Sequence, residues 1–176
     1  VSNSDNIDWH GEVFEVLRAL DIALVAHVPD AGHAPVLSLC ESVDAIRTVT
    51  LTSEQDGVGL LCGAWAGGQR GVLLMQSSGV GNTINALSLA AACRIPFFTI
   101  VSMRGEWGEF IPWQLPMGQA TPAVLEAMGV RVFRAEEPDA VAPTVEAAGN
   151  LCFNTRQPAA VLIAQKVIGA KQFKAG

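Results

Sequence analysis

Charge is what this sequence has least of: only 16% of its 176 residues are Asp, Glu, Lys or Arg, against roughly a quarter in an average soluble protein. So little charge cannot cover an isolated globule whose residues are 50% hydrophobic. Extensive burial against other chains is therefore expected, because apolar surface beyond what one core can hide marks an interface. Basic residues are scarcer than acidic ones, 11 against 17, for a net charge of −6. That balance argues against nucleic acid, whose phosphate backbone is met by clustered cations. Long hydrophobic runs are also missing. Segments 22–28 and 95–101 fall far short of the roughly 20 apolar residues that cross a bilayer, so no membrane span is expected. Residues 1–11 carry no basic stretch ahead of an apolar one, so no secretion signal is read there and the expected address is the cytoplasm. Finally there is no Cys-x-x-Cys pair. Cys40, Cys62, Cys93 and Cys152 lie far apart in apolar or helical surroundings and read as reduced core thiols.

What is present is an alternation. Short apolar or β-branched runs at 22–28, 46–50, 71–76, 97–102, 130–133 and 159–164 read as strands. Helical stretches near 9–20, 33–41, 53–67, 81–92, 120–128 and 137–153 lie between them. This rhythm predicts an α/β fold, a parallel six-stranded sheet with helices on both faces, in a single domain over 1–176 with a candidate tail at 169–176. In the first helix Trp9, Val13, Phe14, Val16, Leu17 and Leu20 mark one buried stripe. The third helix is unusual, because Gly57, Gly59 and Gly63 lie inside it and Gly67 and Gly68 end it. Each interior glycine costs about 0.5–1 kcal/mol relative to alanine. Close approach of another backbone or of a flat ligand would offset that cost, and so would tight packing inside the chain.

Ligands of a parallel α/β sheet bind outside the carboxyl ends of the strands, so the loops there carry the chemistry. Four are polar: 27–33 (His-Val-Pro-Asp-Ala-Gly-His), 52–57 (Thr-Ser-Glu-Gln-Asp-Gly), 76–82 (Gln-Ser-Ser-Gly-Val-Gly-Asn) and 103–109 (Met-Arg-Gly-Glu-Trp-Gly-Glu). Ser-Ser-Gly-Val-Gly-Asn lacks the Lys-Ser/Thr of a P-loop and the third glycine of a dinucleotide fingerprint. As plain structure, Gly79 and Gly81 form a turn there and Asn82 or Thr83 caps the next helix. Glu54, taken alone, is an acidic residue in a first helical turn, where the helix dipole favours it. Asp30 and His33 stand where proton-moving groups would, with loop residue or helix cap as the plainer role. Arg104 offers a rigid fork of donors to an anionic substrate tail, in competition with a salt bridge to Glu106 or Glu109. Gln114 adds a polar contact or is simply an exposed loop amide. Trp107, Phe110 and Trp113 could shape a pocket for a larger apolar substrate.

The run Thr-Ser-Glu-Gln-Asp-Gly-Val-Gly-Leu-Leu-Cys-Gly-Ala-Trp-Ala-Gly-Gly, followed by Gly-Val-Leu-Leu-Met-Gln-Ser-Ser-Gly-Val-Gly-Asn-Thr-Ile-Asn-Ala-Leu, resembles the pyrimidine-binding domain of thiamine-diphosphate enzymes. Within that family the likeness is to sulfopyruvate decarboxylase α subunits and phosphonopyruvate decarboxylases. It continues through Met-Arg-Gly-Glu-Trp-Gly-Glu and Ile-Pro-Trp-Gln-Leu-Pro-Met-Gly-Gln-Ala-Thr-Pro, so it spans the first strand to the last. The resemblance implies that Glu54 hydrogen-bonds N1′ of the cofactor's aminopyrimidine and so activates it. It also implies that Pro29 and Asp30 of the Val-Pro-Asp loop, with Ser77, Ser78, Gly79 and Asn82, line the cofactor and substrate pocket. His27 stands where relatives often carry a small residue and becomes a candidate substrate contact. The family's diphosphate and metal motif, Gly-Asp-Gly followed at a distance by Asn, is absent here. The resemblance therefore implies a β subunit that carries the diphosphate-binding domain and Mg2+, in an α2β2 or higher assembly. The implied reaction is decarboxylation of a short 2-oxo acid to an aldehyde. The alternatives are another 2-oxo acid, aromatic ones included, a carboligation product, or a non-catalytic regulatory subunit.

Overall fold

The computed structural model describes residues 7–169. In chain order the elements are α1 (Trp9–Ala19), β1 (Ile22–His27), α2 (Ala34–Glu41), β2 (Arg47–Thr50), α3 (Glu54–Ala66), β3 (Arg70–Gln76), α4 (Ser77–Thr83), α5 (Leu87–Cys93) and β4 (Phe98–Ser102). A 3₁₀ turn (Pro112–Gln114), α6 (Leu115–Ala127), β5 (Arg131–Ala135), α7 (Pro138–Thr155), β6 (Ala159–Ile163) and α8 (Gln165–Ile168) follow. The strands form one sheet in the order β2-β1-β3-β4-β6-β5, and every neighbouring pair is parallel. The fold class is therefore the α/β arrangement that the alternation predicts.

Side chains leave a strand on alternate faces, and the two faces here build two cores. Val25, Val72, Leu74, Ile100 and Val161 pack with Leu17 of α1, Val36 of α2 and Val145 of α7. Leu24, Leu73, Met75, Val101 and Leu162 pack on the other side with Val58 and Leu61 of α3, Leu87 of α5 and Leu125 of α6. Burying a Leu or Val side chain contributes about 1.5–3 kcal/mol, so both layers hold the sheet. Helix starts follow local chemistry. The Asp8 carboxylate accepts from the Gly11 amide at 3.1 Å to open α1, and Ser53 accepts from Gln55 to open α3, which places Glu54 in the first turn. Burial pushes the thiols of Cys40 and Cys152 up to about 11 and about 12, which keeps them protonated. Among the described residues no helix is long and apolar enough to cross a membrane.

The structure departs from the sequence pattern in three places. The helix expected over 81–92 is two, because the Ser-Ser-Gly-Val-Gly segment is itself helical and α4 begins directly at the end of β3. The turn assigned to Gly79 and Gly81, and the cap assigned to Asn82 or Thr83, do not form. Neither glycine has positive φ, and Gly79 instead makes room for a neighbour described below. The helix expected at 120–128 starts at Leu115, led by the 3₁₀ turn and by Pro116 in its first turn, where a missing N–H is harmless. The short α8 carried no recognisable pattern. Of the candidate tail, all but Gly169 lies outside the described residues.

Candidate active site

From β1 the chain moves to β2 on one side, and from β3 it moves to β4 on the other. The loops leaving β1 and β3 therefore part, and a crevice opens at the carboxyl ends of these two central strands. The candidate residues gather around it.

Glu54 enters from α3, which lies across β1 and β3. Its side chain is buried, with the residue only 7% exposed, against the start of α4. Oε2 accepts a hydrogen bond from Asn82 Nδ2 at 2.8 Å, whereas Oε1 receives none from the described residues. A Cβ on Gly79 would overlap this carboxyl group, so only glycine allows α4 to come so close. Gly79 and Asn82, three residues apart on one helix, thus form a seat that holds one carboxylate oxygen and leaves the other open.

A second polar cluster joins three strand ends. Asp30 Oδ2 accepts from Ser102 Oγ at 2.5 Å and from the Gly32 amide at 3.2 Å, and Oδ1 accepts from Gln76 Nε2 at 3.1 Å. Gln76 Oε1 in turn accepts from Ser78 Oγ at 2.7 Å and from Gln114 Nε2 at 3.1 Å. All the amide donors point toward Asp30. The series ends on Gln114 Oε1, a buried acceptor with no hydrogen-bond partner among the described residues. An unsatisfied buried acceptor costs about 1–3 kcal/mol, which a donor from outside the chain would offset. Beside Asp30, a cavity of about 140 Å³ is bordered by Gly32, Ser102 and Arg104.

Arg104 answers to a different partner. Its Nε and Nη2 donate to the two oxygens of Glu109, both at 2.7 Å, in a bidentate pair that is almost wholly buried. The competing salt bridge forms and occupies the Nε–Nη2 side of the guanidinium, while Nη1 takes no part in it. Glu109 also accepts from the amides of Gly105, Phe110 and Ile111 and from Gln165 Nε2. The Arg104 guanidinium, helped by these donors, holds the Glu109 carboxyl down to about 2.

Two histidines are also committed. His33 is buried, and because a carbonyl can only accept, its Nε2 carries a hydrogen donated to Met75 O at 3.1 Å. It precedes α2 without capping it through its side chain, and burial pushes its pKa down. The bond fixes the tautomer and leaves Nδ1 as the ring's acceptor. His27 ends β1 and bonds Thr50 of β2 through Nε2 at 3.0 Å, again with its pKa lowered by burial. Ser77 is buried and accepts the Arg104 amide at 3.0 Å, while Pro29 is exposed at the rim. Gln76, Ser102 and Gln165 were not singled out in the sequence, and Glu109 was named there only as a rival partner for Arg104. Gln76 and Ser102 are the last residues of β3 and β4, and that position was the available signal.

No family model matches the chain. In three dimensions it superimposes on part of a 2-oxoglutarate:ferredoxin oxidoreductase from Magnetococcus marinus with a TM-score of 0.66. The identity is 15%, and the match covers 89% of this chain and 28% of that one, a likeness of fold alone. In sequence it is 36% identical over 152 residues to sulfopyruvate decarboxylase subunit alpha of Methanococcus maripaludis, covering 86% of this chain and 91% of the relative. It is also 32% identical over 162 residues to a sulfopyruvate decarboxylase of Methanosarcina acetivorans, covering 92% of this chain but 41% of that longer protein. The sequence relatives thus place this α/β domain among decarboxylases of short 2-oxo acids. More specifically, the chain belongs to the family of sulfopyruvate decarboxylase alpha subunits.

Proposed function

We propose that this chain is the α subunit of a heteromeric, thiamine-diphosphate-dependent decarboxylase. Its substrate is a short 2-oxo acid of the sulfopyruvate or phosphonopyruvate type, and its products are CO2 and an aldehyde. The observation that carries this reading is the half-satisfied Glu54 carboxylate, seated over Gly79 with Oε1 open. Such a group fits a ring nitrogen that must share a proton, so the residues present suit the pyrimidine end of the cofactor. When bound, the cofactor supplies a nucleophilic carbon and an electron sink for the departing carboxylate.

The residues of this chain then divide the work. Glu54 holds the proton at the ring nitrogen, and Asn82 fixes the orientation of its carboxylate. Asp30, with its lone pairs directed by Ser102, Gly32 and Gln76, moves protons near the reacting carbons. Gln114 offers its free carbonyl oxygen to a donor on substrate or cofactor. Pro29, Ser77 and Ser78 shape the wall. Arg104 holds the loop through Glu109, and its Nη1 end remains to meet an anionic tail at the cavity beside Asp30.

The diphosphate end and Mg2+ fall to a β subunit. Two observations support that division: no Gly-Asp-Gly motif occurs in these residues, and the relatives bear the name "subunit alpha". The surface of α3 agrees with it. Gly57 is pressed against Leu51 and Leu73, but a Cβ on Gly59 or Gly63 would meet nothing within 4 Å. Packing inside this chain therefore explains the first glycine and not the other two, whose exposed stripe suits close contact with a partner. Trp107 and Trp113, 68% and 73% exposed, stand on the loop after β4 and favour, as a second reading, a larger aromatic 2-oxo acid.

Co-expression with the partner subunit, followed by CO2 measurement over a panel of sulfopyruvate, phosphonopyruvate and aromatic 2-oxo acids, tests the proposal. Release that requires both thiamine diphosphate and Mg2+ is expected, with the sulfonate or phosphonate substrates preferred. No release from any 2-oxo acid by the assembled complex would overturn it.

A further inference from the structure

An open groove of about 1200 Å³ lies at the amino ends of β5 and β6, on the edge of the sheet opposite Glu54. Arg94, Arg131 and Arg156 line it, with Phe133 and Leu151 among its apolar walls and Glu126 as its acidic residue. In a protein of net charge −6 this concentration of guanidinium groups is unexpected. Arg18, Arg104, Arg134 and Lys166 ion-pair with carboxylates, and Arg70 bonds the Leu20 carbonyl and stacks on Phe153, so outside the groove only Arg47 among the described basic residues lacks such a contact. Among the described residues none of the three groove arginines forms an ion pair, and only Arg131 has a recorded side-chain bond, to Gln157 at 3.3 Å.

The backbone supplies a second, independent observation. Among the described residues, three non-glycine positions have positive φ: Asp21, Arg94 and Arg156. Aspartate tolerates the left-handed region through local hydrogen bonds, but arginine gains no such relief, and glycine would be the favourable residue there. Both arginines follow helix ends, α5 and α7, with φ of 53° and 54°, and both line this one groove. A cation at a helix C-terminus does complement the exposed carbonyls. That accounts for neither the convergence of the two helix ends nor Arg131, which begins a strand.

We propose that this groove binds an organic phosphate, a small molecule with two or more negative charges on a flat or apolar body. Guanidinium forks match phosphate oxygens bidentately, and half-buried Phe133 offers the body a wall. Its volume of about 1200 Å³ lies just above the roughly 300–1,000 Å³ usual for small-ligand sites, so it has room for such a molecule with water around it. The site is separate from the Glu54 crevice, so its failure would leave the decarboxylase reading intact.

The test uses calorimetric titration of ADP, inorganic pyrophosphate and adenosine. Titrant is added to the full chain and to its complex with the partner, the latter saturated with thiamine diphosphate so that the diphosphate site is filled. ADP is expected to bind saturably, pyrophosphate more weakly and adenosine hardly at all. In Arg94→Gly and Arg156→Gly, ADP affinity should fall about tenfold per arginine, while the melting temperature holds or rises because glycine accepts the left-handed backbone. Arg131→Gln should lower affinity similarly. Three results would overturn the proposal: no saturable binding of either anion, unchanged affinity in all three variants, or a groove that the partner subunit shields from hydrogen exchange. A fall in melting temperature in the glycine variants without loss of binding would equally reduce the arginines to helix caps.

Discussion

Two carboxylates at the same edge of the sheet have opposite surroundings. Glu109 is saturated: a bidentate guanidinium, three backbone amides and the Gln165 amide fill its lone pairs. Glu54, also largely buried, accepts from Asn82 alone among the described residues. A carboxylate whose acceptor sites are all filled has nothing left to offer a ligand and serves to fix its loop. One with an open oxygen in a buried seat is kept ready for a donor that arrives from outside. The contrast separates a filled carboxylate from one with an acceptor to spare, at positions that sequence alone presents as similar acidic residues in polar loops.

Breaking the saturated side should have the largest effect. Arg104→Ala leaves Glu109 buried without its counter-ion and should cost about 3–5 kcal/mol in urea unfolding, a large share of a typical domain's stability. Next comes the seat of the open side. Gly79→Ala ought to favour the helix by roughly 1 kcal/mol, yet its methyl group displaces the Glu54 carboxyl. The melting temperature should hardly change while kcat falls about a hundredfold; a variant with normal kcat would show that the close approach is incidental. The smallest effect is that of pH. His33 is buried with a lowered pKa, so below its ordinary value of 6.5 the unfolded chain takes up a proton that the folded chain refuses. Stability should then decline by about 1.4 kcal/mol per pH unit as pH falls below 6.5. Glu109, held at about 2, adds a further decline in the same direction below its ordinary 4.5. In His33→Gln the slope between pH 6.5 and 5 should flatten, and an unchanged slope would assign the titration elsewhere.

Six strands and the carboxyl edge of the sheet were legible in the residue pattern, because short continuous apolar runs and the Gly-rich breaks between them are local signals. The start of α4 was not. Ser-Ser-Gly-Val-Gly has the composition of a turn, and only contact with Glu54, distant in sequence, explains why glycine sits in a helix there. The same limit governed the site. Glu54, Asp30 and Gln114 were visible as polar residues in the right loops, with the family resemblance adding the role of Glu54. Their partners Gln76 and Ser102 became apparent only when the strand ends were brought together. For Arg104 the sequence left two partners open, and the choice rested on the fold of a loop whose Gly105 and Gly108 both take positive φ. His33 was ambiguous for a similar reason, since its partner is a backbone carbonyl that carries no sequence signature.

The central claim is that the open oxygen of Glu54 activates a cofactor that this chain shares with a partner. Glu54→Gln keeps the shape and the acceptor for Asn82 but cannot hold the proton. In the complex with the partner subunit, CO2 release should drop by about 10²–10⁴-fold while assembly and melting temperature are retained. Near-normal CO2 release from an intact Glu54→Gln complex would contradict the account.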